Sequence, residues 1–493
     1  MFHRSTRKKS TPHKAKSIIG PMPRTVLGVG QSLSRSTSTL IPEPYPDEMY
    51  LNCLKSTKKG TEQVINTMSK RVFVPLQWLH FYKRHKFREG ANARRALLGL
   101  IQTETAHALV RGRYYYVDES TVIPGIEEFD QQDDDDNVDE QDDEEQEEQL
   151  DSIRYPQHHD DDGEELDETI DYTLPEWKDD SRNIQLQDAS TRFIKRHLIY
   201  NSVQKASMIR YEKKPDPHQP RSITNHSTPV LTKTYITYSD SADIALYLSE
   251  HLKCKPLLIT SAQQSKCSAY LSGSNSQEAE LCRRSSLALC LDDPFSMDKD
   301  RSWSYPIPEF GGIYVPSCLF FREGVSHGYA FCEKVSELSV LACSSYSHPP
   351  LAKNDKKSWK DVEWKLSGKI KNDLYRKIEC MFDVALCHGH DSIVLSDFAC
   401  GQFECPAKHV AEIFKSVLDN DKYVNQFKFV CFGIKDRKSL VGFKAAFNLS
   451  DEMVPGLSEF KMQIANDTHA DYSRMPYDYS QTSQADLIKS DVL

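Results

Sequence analysis

Two stretches of the chain carry residues whose types and spacing suit chemistry. The first is Gln277-Glu278-Ala279-Glu280-Leu281-Cys282-Arg283-Arg284-Ser285-Ser286. A carboxyl of raised pKa is the usual proton donor to a departing glycosidic oxygen, and Glu278 and Glu280 are the two carboxyls on offer. Successive side chains project about 100° apart on a helix, or to opposite faces of a strand, so neighbours in this run do not stand in for one another. The second stretch is Ala399-Cys400-Gly401-Gln402-Phe403. It follows an apolar run and precedes a helix opened by Pro406. That order puts backbone N–H groups and a helix N-terminus where a diphosphate can sit.

The elements that must position these stretches are legible from periodicity. Asn92 is placed to cap a helix in which Ala96, Leu97, Leu100, Ile101, Ala108 and Leu109 recur at three- and four-residue spacing, with Gly112 at its end. Residues 257–262 and 393–398 are short apolar runs bounded by polar breakers, as strands buried on both faces read. Leu374, Ile378, Met381, Phe382 and Ala385 form one helical stripe ending near Gly389. His388 and His390 flank that glycine, where a cation favours the helix dipole. After Pro406 a further helix carries Val410, Ile413, Phe414 and Val417. Strand–helix alternation over this length predicts an α/β sandwich with a largely buried sheet.

The run 277–285 resembles the signature of microbial-type poly(ADP-ribose) glycohydrolases, written in that family as Gln-Glu-Glu-x-Leu-Cys-Arg-x-Ser. Other stretches are similar to the family in the same order. They are Asn92 to Arg111 with the following Gly-Arg-Tyr-Tyr-Tyr, Thr234 to Thr237, Ser241 to Leu252 and Pro256 to Ala262. After the signature come Gly311 to Arg322, Leu338 to Ser344, Ser392 to Phe403 and Phe427 to Asp436. The resemblance covers roughly residues 69–126 and 186–450. It implies a macrodomain-like three-layer α/β/α sandwich with a mixed central sheet.

Residue by residue, the resemblance implies a site that has lost its acid. The family's first signature glutamate orients ribose hydroxyls, which falls on Glu278; its second, the acid, falls on Ala279. Glu280 is the nearest replacement and reaches that place only by a one-residue slip. Gln277 lies beside them. The family's Gly-Gly-Gly loop falls on Cys267, Ser268 and Ala269, whose Cβ atoms crowd a space that glycines leave open. Tyr270, Leu271 and Gly273 keep the family pattern just downstream. Ala399, Cys400, Gly401, Gln402 and Phe403 match the phosphate loop, with Phe403 packing over ribose or adenine or else simply filling core. Asp397 and Glu404 would repel a diphosphate if they faced it. Gly312 and Tyr314 belong to a segment that furnishes a second cleft wall or is a loop entering a strand. Arg283 and Arg284 face ligand phosphate or pair locally.

Composition bounds the rest. The chain has 493 residues and a formal net charge of −10. Residues 127–168 alone hold 23 Asp or Glu against one Arg, so everything outside that block is net basic. Such a block cannot pack a core, and it reads as a solvated insertion or as an arm for basic proteins. The expected organisation is a disordered basic region at 1–68, a first domain segment at 69–126 and an acidic low-complexity insertion at 127–185. The main body then runs over 186–450, with a flexible tail at 451–493. Thirteen scattered cysteines include no Cys-x-x-Cys pair and no Cys/His grouping of zinc spacing, so neither disulfides nor a metal site is called for. No stretch approaches a membrane span, and the lysine-rich start lacks an apolar h-region, so a nuclear or cytoplasmic setting is expected.

Three functions are carried forward. One is recognition of ADP-ribose or its polymer by a catalytically impaired domain. The second is active hydrolysis through Glu280. The third is an interaction scaffold that binds no nucleotide. No cofactor is expected in any of them.

Overall fold

The computed structural model describes residues 71–84, 91–117, 189–211, 231–267, 269–353, 364–450 and 453–473. The expected basic N-terminal arm and the acidic block 127–168 lie outside the described residues. From the N-terminus, helices α1 (Pro75–Arg84) and α2 (Ala91–Arg111) precede strands β1 (Arg113–Tyr116) and β2 (Ser190–Phe193). Helix α3 (Arg196–Gln204) and strand β3 (Ser207–Arg210) follow, then β4 (Lys233–Thr237), α4 (Ser241–Glu250) and β5 (Pro256–Ala262). The signature forms α5 (Gln277–Arg284), succeeded by α6 (Leu287–Asp292), β6 (Gly311–Arg322) and β7 (Phe331–Ser344). The rest is β8 (Leu351–Lys353), β9 (Trp364–Leu366), α7 (Gly368–Cys387), β10 (Ser392–Leu395), α8 (Ala407–Leu418), β11 (Phe429–Gly433), α9 (Arg437–Phe447) and α10 (Leu457–Ser473).

Seven strands make one mixed sheet in the order β3-β6-β7-β5-β10-β11-β4. This, with its helices, is the expected macrodomain-like α/β architecture. Two compact units divide the chain. One comprises residues 1–215 and 260–347, the other 216–259 and 348–493.

The first unit holds the antiparallel strands, with Met208 opposite Ile313 and Ile313 opposite Ala342. Helix α2 begins at Ala91, a residue before Asn92, so Asn92 lies inside the helix and does not cap it. Trp78 of α1 is fully buried and donates its indole N–H to the Leu97 carbonyl of α2 at 3.2 Å, which docks the two helices. Residues 311–316 are strand throughout, not a loop, and the β6–β7 register shifts between Val315 and Cys318, around Pro316. Proline has no N–H for the ladder, which is where a bulge belongs.

The second unit holds the parallel strands. Ile393 is opposite both Leu257 and Val430, and Val430 is opposite Thr234. β5, β10 and β11 are largely apolar and buried, as expected for parallel pairing, while the edge strand β4 is only part-buried. Helix α4 starts where Asp240 accepts hydrogen bonds from the Ala242 and Asp243 N–H groups at 2.7 and 3.3 Å. Helix α8 starts just after Pro406. Two expectations change here. The segment 451–493, read as a flexible tail, contains α10, whose Phe460 and Ile464 are fully buried. They are four residues apart, one helical face, and Phe460 meets Tyr235 and Tyr247 edge-on. His390 is not a helix-end cation: burial lowers its pKa to about 4, so it is neutral, and partial desolvation shifts the exposed His388 in the same direction.

Candidate functional site

The signature helix is fixed at both ends in the first unit. At its start the Ser276 hydroxyl accepts from the Ala279 N–H at 3.4 Å. The Gln277 side-chain carbonyl accepts from the Ser261 N–H at 3.1 Å and the Thr260 hydroxyl at 3.3 Å, tying the helix to the end of β5. Gly273 precedes it at φ +71°, where a Cβ would meet the Arg95 carbonyl at 2.2 Å, so only glycine fits. At its end, Arg283 and Arg284 are fully buried. Arg283 donates to the Tyr329 hydroxyl and the Ser274 carbonyl at 3.1 and 2.8 Å, and Arg284 to the Arg322 carbonyl at 3.3 Å. These arginines pair locally. They clamp the helix in the protein interior.

Glu278 is the exceptional member. It is 1% exposed, and neither carboxylate oxygen has a hydrogen-bond partner. Burial pushes its pKa up to about 8, with the nearby Asp292 charge adding to the rise. The Gln263 backbone and the Cys267 thiol oppose it, but neither completes a hydrogen bond to the carboxylate. A buried orphan carboxyl is expensive, which makes Glu278 a functional-site candidate.

Ala279 is 0% exposed. Glu280 belongs to a different neighbourhood. The groups that feel its charge are Tyr82 and Tyr329, and it lies with the Arg284 guanidinium beside Gly324. The helix has not slipped, and Leu281 and Cys282 keep their burial.

The 267–269 stretch also departs from a glycine loop. Cys267 is buried, and neither it nor Ala269 takes a positive φ; Ala269 instead opens a short 3-10 turn over Ala269–Ser272. A hydrogen bond with the Cys282 thiol, then burial, holds the Cys267 pKa well above the usual thiol range, with Glu278 close enough to add to it. The Cys267 side chain therefore occupies space beside Glu278. Tyr270 donates to Asp292 at 2.6 Å and closes this part of the wall. Gly312 and Tyr314 lie in β6, both buried, with the Gly312 position packed against Ala342 and Leu341 of β7.

In the second unit the expected phosphate loop follows β10. Ala399 has φ +73° and Gly401 φ +55°, both left-handed. The Cys400 N–H donates to the Asp397 carbonyl and the Cys405 N–H to the Ala399 carbonyl, at 2.9 and 3.1 Å. Among the described residues the N–H groups of Ala399, Gly401 and Gln402 donate to no protein acceptor. A Cβ on Gly401 would meet nothing within 4 Å. Gln402 is exposed and Phe403 half-buried, so Phe403 is not core. The exposed Glu404 carboxylate lies 3.6 Å from the His348 ring. Burial raises the Asp397 pKa, while the Ser439 hydroxyl opposes that rise.

Sequence reasoning missed Asp292, at the end of α6, and Tyr305, in the stretch between α6 and β6 that has no periodicity to read; both lie near Glu278. Among the described residues no group of three or more His, Cys, Asp or Glu is placed to hold a metal ion. None of the cysteines among them is in a disulfide, and no described helix is long and apolar enough to cross a membrane.

These features define a macrodomain-like α/β domain with an orphan carboxyl on a short buried helix. Residues 172–323 match the family described as microbial-type PARG (poly(ADP-ribose) glycohydrolase), catalytic domain, which includes the signature. No curated protein matches the chain. Among solved structures, the glycohydrolase from Thermomonospora curvata is similar at 17% identity and TM-score 0.44, covering 72% of this chain and 99% of its own. The Deinococcus radiodurans glycohydrolase in complex with ADP-ribose is similar at 17% identity and TM-score 0.34, covering 44% of this chain and 85% of its own. At these scores the structural likenesses carry no weight of their own.

Proposed function

We propose that this chain recognises ADP-ribose, free or within its polymer, and does not cut it. One observation carries the reading. Glu278 holds two buried carboxylate oxygens without a partner, in a segment that matches a glycohydrolase family, while the next position is a fully buried alanine. A glycosidic oxygen leaves only with a proton donor; the family's acid position is Ala279, which supplies none, and we read Glu278 as the ribose-binding carboxyl and not as the acid. Glu280 is turned among Tyr82, Tyr329 and Arg284, which speaks against the active alternative. The left-handed Ala399–Gly401 loop, with N–H groups open to a ligand, supports diphosphate binding over the scaffold that binds no nucleotide. We further propose a nuclear or cytoplasmic setting, and contacts between the acidic block 127–168 and basic proteins, on composition alone.

Isothermal titration with ADP-ribose and an assay for ADP-ribose release from polymer test this together. Binding without release is the expected result. Absence of binding returns the scaffold, and release abolished by Glu280→Ala returns the enzyme.

A further inference from the structure

One side chain that the sequence did not single out shares the situation of Glu278. Tyr305 lies between α6 and β6, partly buried as a residue, with its hydroxyl buried without a hydrogen-bond partner. The backbone around it is fixed. The Ile307 N–H donates to the Gln264 carbonyl at 2.9 Å, and the Gln264 amide returns a bond to the Ile307 carbonyl at 3.5 Å. Gln263, one residue along, is the backbone nearest the Glu278 carboxyl. The charges that reach the Tyr305 phenol come from Cys267, Glu278, Cys282 and Asp292. Cys267 and Asp292 also surround Glu278. Tyr305 and Glu278 thus put three buried, unpartnered oxygens into one neighbourhood of the first unit.

A partly exposed tyrosine whose hydroxyl is sealed inside without a partner has the posture of a side chain reaching into a site. Packing alone does not explain it, since phenylalanine fills the same volume without an orphan hydroxyl. Burial keeps Glu278 protonated at neutral pH, and a protonated carboxyl and a phenol each donate and accept. Each hydroxyl of a vicinal diol also donates and accepts, and a diol matches that pair. We propose that Tyr305 is a ligand-binding residue, and that its hydroxyl and the Glu278 carboxyl together hold the diol of a ribose ring. This rests on the ADP-ribose reading, and it places the distal ribose, the one absent from ADP, on these two side chains.

The test is Tyr305→Phe in the full chain, with ADP-ribose and ADP as probes in calorimetry and a melting curve of the protein alone. The variant is expected to bind ADP-ribose about tenfold more weakly, as loss of one good hydrogen bond implies. Its affinity for ADP should be unchanged and its own melting temperature equal or higher, since an unsatisfied hydroxyl is removed. Equal affinity of wild type and variant for ADP-ribose overturns this inference alone. A lowered melting temperature with equal losses for both ligands makes Tyr305 a packing residue and overturns it too. Failure of the wild type to bind ADP-ribose overturns the functional reading, and this inference with it.

Discussion

Two loops of this molecule stand where the family it resembles has glycines, and they have diverged in opposite ways. At Cys267 and Ala269 the backbone has left the left-handed region, and a thiol fills the space beside Glu278. At Ala399 the backbone stays left-handed at φ +73° although the residue has a Cβ. A left-handed alanine costs about 1–2 kcal/mol, and such strain persists only where its surroundings over-determine it. Here the Cys400–Asp397 and Cys405–Ala399 hydrogen bonds hold the turn on both sides. The loop after β10 holds a left-handed turn at a cost, and the stretch beside Glu278 holds none.

The comparison breaks most decisively through chemistry. Wild-type protein should release no ADP-ribose from polymer. Restoring the carboxyl as Ala279→Glu should do little alone, because position 279 is fully buried and Cys267 crowds the neighbouring space. Joined with glycine at 267, 268 and 269, it should raise turnover by on the order of 10²–10⁴, the usual worth of a general acid. Equal turnover for the single and the combined variants would show that the relaxed loop is no obstacle.

Next in size is the pH dependence of Glu278. Its pKa is about 8 when folded against an ordinary 4.5, so the folded protein binds the extra proton between those values. Stability from this group is therefore lost as pH rises from 4.5 to 8, by an amount on the order of a few kcal/mol. Glu278→Gln removes that slope. Its melting temperature should exceed that of the wild type at pH 8 and match it near pH 4, while ADP-ribose affinity falls. Parallel melting curves across pH would mean that the carboxyl is not buried as an orphan.

Much of this site was legible in sequence, and the exceptions have physical causes. The strand–helix alternation and the turn before Pro406 follow from periodicity and breakers and formed at or near the runs read for them, while the signature, left open between helix and strand, is helix α5. Burial of Arg283 and Arg284 left no periodic trace, because charged side chains count as polar in any pattern. Strand β3 is four residues long and only half-covered, and its Ser-Met-Ile-Arg run carries no alternation strong enough to announce it. The loop carrying Tyr305 is placed by a tie between Ile307 and Gln264, a contact across 43 positions that no local window sees. Helix α10 shows only a sparse apolar stripe, and its docking depends on Tyr235 and Tyr247 far upstream.

Ligand binding probes the left-handed loop directly. Gly401 has open space at its Cβ, so Gly401→Trp should fold, with a penalty of about 1 kcal/mol for its left-handed φ of +55°. ADP-ribose at a hundredfold excess over its Kd stabilises a binding protein by about 2.7 kcal/mol, and the tryptophan should abolish that shift by filling the diphosphate position. An undiminished shift would move the phosphate away from this loop.

The smallest effect tests the comparison at its root. Ala399→Gly relieves about 1–2 kcal/mol of left-handed strain and adds about 0.5–1 kcal/mol of unfolded-chain entropy. The net is a gain of roughly 0–1 kcal/mol. Cys267→Gly relieves no such strain, since Cys267 is not left-handed. It pays the same entropy and leaves a thiol-sized void, so it should lose about 1–2 kcal/mol. The two glycine substitutions should thus shift denaturant midpoints in opposite directions in otherwise identical protein. If both destabilise, the Ala399 turn is not strained, and its shape says nothing about what the loop was kept to bind.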